Sequence, residues 1–312
     1  MNYFSQDAMQ ANLGFVQSQT AHVEQQVYQI KYPDIQYPNL IPVDLSANPF
    51  ATSVTYYSMD KAGQASWISG KGHDIPTVGL ALEKFETPVY MAGIGYDWGF
   101  EEVGQARMLG INLPAEKAQM ARRAYEEMID RVALEGDAEK GFNGLFNYPG
   151  VTASTAPNGA GGTPVWTNKT ADEILADVNA LLSGIYTDTK TTALADTVVL
   201  PYDRYNLVAT KRLGDTTMTV LEFLRRNNVY TATTGAELTI RAARGLETAG
   251  AGTSHRMVAY RRAPEVLKLH IPMPLQFLPV QIVGLSYVVP GVFRFGGLDI
   301  RLPKEVRYAD GI

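Results

Sequence analysis

The 312-residue sequence contains no cysteine, which excludes disulfide staples, thiolate nucleophiles and cysteine-ligated zinc. A reducing compartment is compatible with that absence. Charge is also scarce: Asp, Glu, Lys and Arg make up 19% of the chain against 46% hydrophobic residues, as in a globular protein whose surface is partly covered by neighbours. No apolar run reaches the roughly 18 residues needed to cross a bilayer. The opening MNYFSQDAMQ has neither the basic n-region nor the apolar h-region of a secretory signal. Neither a membrane partner nor Sec export is expected. The formal charge of −5 argues against a protein that grips nucleic acid through its phosphates.

Catalytic constellations are missing as well. The four histidines, His22, His73, His255 and His270, are far apart and form no HExxH or i, i+4 pair, so no metal site is expected. His73 and Asp74 are adjacent, yet neighbours in sequence rarely face each other, and no GxSxG elbow supplies a nucleophile. The glycine runs at Gly159, Gly161 and Gly162 and at Gly250 and Gly252 continue neither as GK[ST] nor as GxGxxG. They read as flexible loops. Asn168-Lys169-Thr170 is a glycosylation sequon only in form, and Thr170 is better used as a helix cap. No catalytic, cofactor-binding or metal residue is assigned, and the chain is not expected to be an enzyme. The 17 tyrosines are spread along the chain without basic interleaving, which suits subunit contacts better than stacking on bases.

What is present is a modular order. Residues 1–50 are rich in Gln, Asn and Pro, with Leu13, Phe15, Val16, Val23 and Val27 scattered among polar residues before Pro33, Pro38, Pro42 and Pro49. This predicts a core-poor arm with one helix and a proline-stiffened strap, ordered only by contact with neighbours. Its net charge of −3, from Asp7, Glu24, Asp34 and Asp44 against Lys31, excludes a basic nucleic-acid arm. Residues 51–59 and 77–92 are β-rich and flank a glycine-punctuated segment around Trp67, predicting a long hairpin with a mobile tip.

After a Gly/Thr/Pro loop, Thr170 to Glu173 forms a capping-box pattern, and Ile174, Val178, Leu181, Leu182 and Ile185 line the helix that follows. Strands at 197–200, 237–241 and 257–260 and helices at 202–210 and 218–227 complete an α/β block. From Leu267 onward short strands are divided by prolines. Residues 201–270 hold eleven Lys/Arg against six Asp/Glu, including Arg225-Arg226 and Arg261-Arg262. Such a dilute cluster reads as a solvated or intersubunit-paired surface.

The most informative stretch is NLPAEKAQMARRAYEEMIDRVALEGDAEKGFNGLFNYPGV, from Asn112 to Val151. Pro114 and Glu116 suit a helix N-terminus, and Gly136 is the natural stop. Ala118, Ala121, Tyr125, Met128 and Val132 form the predicted apolar stripe, with Glu116, Arg123, Glu126, Glu127 and Asp130 opposite. A helix of about 22 residues would span roughly 33 Å, the length of a structural spine.

This helix with its LEGD and GFNGLFNYPGV continuation resembles the core of tailed-bacteriophage major capsid proteins of the Hong Kong ninety-seven-type fold. The segment YVVPGVFRFGGLDIRLPKEVRYADGI, Tyr287 to Ile312, is similar to their closing strands, and the two patches together cover about a fifth of the chain. The resemblance implies an α+β fold with an N-terminal arm (1–50), an E-loop hairpin (51–97), a P-domain with the spine helix (98–155), an A-domain (156–266) and returning P-domain strands (267–312). It further implies hexamers and pentamers closing an icosahedral shell around double-stranded DNA, without sequence-specific binding. Portal protein and scaffolding or cement proteins would be further partners, and assembly would take place in the bacterial host cytoplasm before residence in the virion capsid. An encapsulin-like nanocompartment shell with an enzyme cargo is the alternative. Assembly contacts are expected at the hairpin tip, at Trp67, Lys71 and His73. Lys61 or Lys71 would be the place for an isopeptide crosslink, but no acceptor or catalytic glutamate is recognisable, and none is expected.

Overall fold

The computed structural model describes residues 34–62, 79–108 and 112–312. In chain order these form helix α1 (Tyr37–Leu40) and strands β1 (Val43–Asp44), β2 (Ser53–Ala62), β3 (Gly79–Pro88), β4 (Tyr90–Gly93) and β5 (Tyr96–Gly99). Helices α2 (Phe100–Met108) and α3 (Leu113–Glu135) follow, then β6 (Gly136–Asp137), β7 (Phe142–Asn143) and β8 (Thr152–Thr155). The middle of the chain supplies α4 (Ala171–Asp188), β9 (Thr197–Pro201), α5 (Tyr202–Thr210), α6 (Val220–Arg226), α7 (Val229–Thr234), β10 (Thr239–Ala243) and β11 (Arg256–Tyr260). The remainder is strand: β12 (Leu267–His270), β13 (Met273–Phe277), β14 (Gln281–Val283), β15 (Ser286–Val289), β16 (Gly291–Phe295), β17 (Gly297–Ile300) and β18 (Val306–Asp310). Helices and largely antiparallel sheets are segregated, an α+β fold.

Helix α3 starts at a proline-bearing first turn and stops at Gly136, whose φ of +86° only glycine adopts without strain. The turn that follows caps its open end: Leu145 and Phe146 donate their N–H groups to the carbonyls of Ala133 and Leu134, and Asn147 donates to that of Glu135. Gly144 permits this approach, since a Cβ there would lie 2.3 Å from the Leu134 carbonyl oxygen.

The buried face of α3 is Ala121, Tyr125, Ile129, Val132 and Ala133. Met128, placed in the stripe by its spacing, is instead 37% exposed. Tyr125 packs edge-on against Phe293, and the face so directed at the sheet carries Ile129. Asp130, read as solvent-facing, is 4% exposed. Its Oδ1 accepts the backbone N–H groups of Gln36 and Tyr37 at 2.8 and 2.7 Å, and Arg244 reaches Oδ2 at 3.3 Å. Asp130 thus caps α1 from another element, using the attraction of a carboxylate for a helix N-terminus.

That contact corrects the reading of the strap as ordered only by neighbours. Tyr37, Leu40 and Ile41 are buried in the main core, Tyr260 donates its hydroxyl to the Leu40 carbonyl, and β1 pairs in parallel with β12. Three large apolar side chains within five residues suffice to dock this part of the segment onto its own chain.

The five-stranded sheet, ordered β10-β9-β11-β18-β8, is a wall between two cores. Val199, Val258, Tyr260 and Tyr308 face the core around α3. Val198, Leu200, Met257 and Ala259 face a second core with Trp166, Ile174, Val178, Leu182 and Ile185. Successive side chains of a strand point to opposite faces, so β9 and β11, covered on both, are buried throughout. Helix α4 begins with the expected capping box, in which Thr170 and Glu173 exchange side-chain to backbone hydrogen bonds.

Candidate assembly surfaces

Strands β2 and β3 pair antiparallel from Ser53–Pro88 at the root to Ala62–Gly79. On one face of this ribbon Met59 stands directly across from Leu82, with Tyr57 and Leu80 beside them. All four are 63–68% exposed, so nothing in the described chain covers them. The opposite face is tied down near the root. Tyr56 stacks on Phe85 at 5.0 Å, and the Arg301 guanidinium lies 4.8 Å over the Tyr56 ring. Polar residues edge the apolar face: Lys84 bonds Glu86 at 3.0 Å, and hydrogen bonds from Ser53 and Lys84 hold the Glu86 carboxyl below the usual range. An isolated two-stranded ribbon is marginal in water. One with an apolar side left open needs a partner surface.

A second uncovered surface lies at the sheet ordered β14-β15-β5. Ile282, Val283 and Leu285 flank the turn at Gly284, and Leu285 is 84% exposed. Behind them Trp98 lies between Tyr96 and Tyr287 with nearly parallel rings, 5.7 and 5.9 Å apart, which stiffens the sheet.

Trp67, Lys71 and His73, the residues singled out from sequence, lie outside the described residues, and so does His22. Lys61 falls within β2, its backbone paired with Leu80. The sequence reading missed Tyr57, Met59, Leu80 and Leu82. The signal was there, because apolar residues at every second position in both arms define one ribbon face.

The basic cluster of residues 201–270 is partly ion-paired within the chain. Arg256 is buried and forks onto Asp310 at 2.6 and 2.8 Å, with a third bond to the Phe146 carbonyl. Arg261 bonds Glu305 and Glu265, Arg226 bonds Glu237, and Arg225 reaches the Tyr205 hydroxyl. The side chains of Lys211, Arg212, Arg225, Arg241 and Arg262 have no carboxylate partner among the described residues. Lys169 and Trp166 both donate to Asp177 Oδ2 in the second core, at 2.5 and 2.8 Å. His255 Nε2 lies 2.9 Å from Asp203 Oδ2, and among the described residues this carboxylate is the only hydrogen-bond partner of the ring. No cluster of three metal-ligating side chains occurs among the described residues.

Residues 63–312 match the family described as Major capsid protein. Among solved structures, the chain resembles the capsid of Myoviridae Phage XM1 with a TM-score of 0.81 and 23% identity, covering 95% of this chain and 98% of that one. A protein of Mycobacterium phage Bobi matches with a TM-score of 0.61 and 12% identity over 99% of both chains. A virus-like particle from Pyrococcus furiosus matches with a TM-score of 0.51 and 12% identity, over 88% of this chain and 91% of that one. At these identities the likenesses are of fold. No curated protein matches the sequence.

Proposed function

Since the chain belongs to the major capsid protein family and is a structural shell protein of a phage capsid, we propose that it closes an icosahedral particle from hexamers and pentamers around double-stranded DNA. In this reading residues 1–50 are the N-terminal arm, 51–97 the E-loop, 98–155 and 267–312 the P-domain, and 156–266 the A-domain. The E-loop lies across a neighbouring subunit and buries its Tyr57, Met59, Leu80 and Leu82 face there. Trp67, Lys71 and His73 belong to the same contact. The activity is self-assembly, with no catalytic step. Assembly takes place in the bacterial host cytoplasm, with a portal protein at one vertex and scaffolding or cement proteins as further partners. The DNA is enclosed without sequence recognition, in keeping with the net charge of −5. Family membership favours this reading over a cargo-bearing nanocompartment.

The observation that carries the proposal is the uncovered apolar ribbon face, which the fold holds out instead of burying. Velocity sedimentation with electron microscopy of the purified protein tests it. Megadalton closed particles, or capsomers in equilibrium with them, are expected. A stable monomer at high concentration contradicts it.

A further inference from the structure

His270 is 1% exposed, and neither ring nitrogen has a hydrogen-bond partner. Buried polar atoms are seldom left so. Its surroundings are two carboxylates on opposite sides: Asp44 Oδ2 lies 3.7 Å from Nδ1, and Asp299 Oδ2 lies 3.8 Å from Nε2. Because the two nitrogens point to opposite edges of the ring, one metal ion could not be held by all three side chains. The ligand that fits this arrangement is a proton.

Each carboxylate already has one cation. Lys268, two residues before His270 and so on the same face of β12, reaches Asp44 Oδ2 at 3.1 Å. Arg301 reaches Asp299 Oδ2 at 3.1 Å and stacks on Tyr56 at the hairpin root. A neutral imidazole has one N–H and one lone pair. Whichever tautomer it adopts, its lone pair faces a carboxylate oxygen, acceptor against acceptor. Only the imidazolium can donate on both sides.

We propose that His270 is a proton-operated clasp that ties β1 to β17 and to the root of the hairpin. With the proton on, Lys268, Asp44, His270, Asp299 and Arg301 form a row of alternating charge running from the strap through three strands. With the proton off, one end of the ring is repelled and the row is broken at its centre.

Of the two carboxylates beside the ring, Asp44 is held ionised by its own partners. Desolvation works to raise the Asp44 carboxyl, but the Ser46 hydroxyl and N–H and the Lys268 ammonium outweigh it and keep it below the usual carboxylate range. Burial and the Asp299 charge push the Tyr56 phenol up to about 12, and burial raises Tyr148 beside it. Proton uptake on folding stabilises the native state on the acid side, and that contribution is lost as pH rises. Closure goes with the proton, so the clasp is favoured at acid pH and released as pH rises.

The test is denaturant unfolding of unassembled subunits as a function of pH, comparing wild type with His270→Gln and Asp299→Asn. Taking the difference cancels titrations common to both proteins. From pH 8 to pH 5 the unfolding constant of wild type should fall relative to His270→Gln by about fivefold or more. Asp299→Asn should lose most of that change. A ratio that stays flat overturns the clasp. If His270→Gln does not fold, amide exchange of wild-type Val43 to Ser46 decides, referenced to the same segment in the unfolded chain. Protection that falls as pH rises supports the clasp, and protection independent of pH overturns it.

Discussion

The hairpin strands β2 and β3 run for ten residues each, twice the length of β9 and β11 in the five-stranded sheet. By ladder hydrogen bonds alone the hairpin would be the sturdier region. Burial reverses the order, because every residue of β9 and β11 is buried, whereas Tyr57, Met59, Leu80 and Leu82 lie open. A backbone hydrogen bond made in folding replaces one made to water and contributes about 1 kcal/mol net. A fully buried Leu or Val contributes about 1.5–3 kcal/mol beyond its exposed state. One region is therefore finished within the chain, and the other is left open by it.

Five substitutions probe this contrast in unassembled subunits, measured by denaturant unfolding. Arg256→Ala should cost the most, about 3–5 kcal/mol, since it leaves Asp310 buried without its cation. Its partly exposed counterpart, Arg261→Ala, should cost no more than about 1 kcal/mol. Leu182→Ala, in the second core, should cost about 2–5 kcal/mol through the cavity it opens. Thr170→Ala removes the capping-box acceptor of α4 and should cost about 1 kcal/mol. Leu82→Ala, in the open ribbon face, should stay within about 0.5 kcal/mol of wild type. If Leu82→Ala matched Leu182→Ala, the hairpin face would be core after all and the contrast would fail.

Much of this division was legible in the sequence. The capping box at Thr170 and Glu173, the α4 stripe and the stop at Gly136 are local signals with local causes, and each appears where its chemistry puts it. Helix α7, VYTATT, has a β-branched sequence of poor helix propensity. It forms because the Asn228 side chain caps it by accepting from the Thr231 N–H. The role of Asp130 was invisible, because its partners at Gln36 and Tyr37 are remote in sequence. The strap was misjudged for a related reason: Tyr37, Leu40 and Ile41 are diluted by polar neighbours over any longer window. The open ribbon face was signalled by the plain alternation of apolar residues in the hairpin arms. Tyr57, Met59, Leu80 and Leu82 were within reach of that simpler pattern.

The central claim is that the hairpin face is stabilised between subunits and contributes little within one. The direct measurement is the paired stability of the Leu80→Ser/Leu82→Ser double variant, first as unassembled subunits and then as particles. The account expects a subunit unfolding midpoint close to wild type, together with particles that fail to form or that dissociate at clearly lower denaturant. Subunits that unfold readily while particles remain as robust as wild type would contradict it.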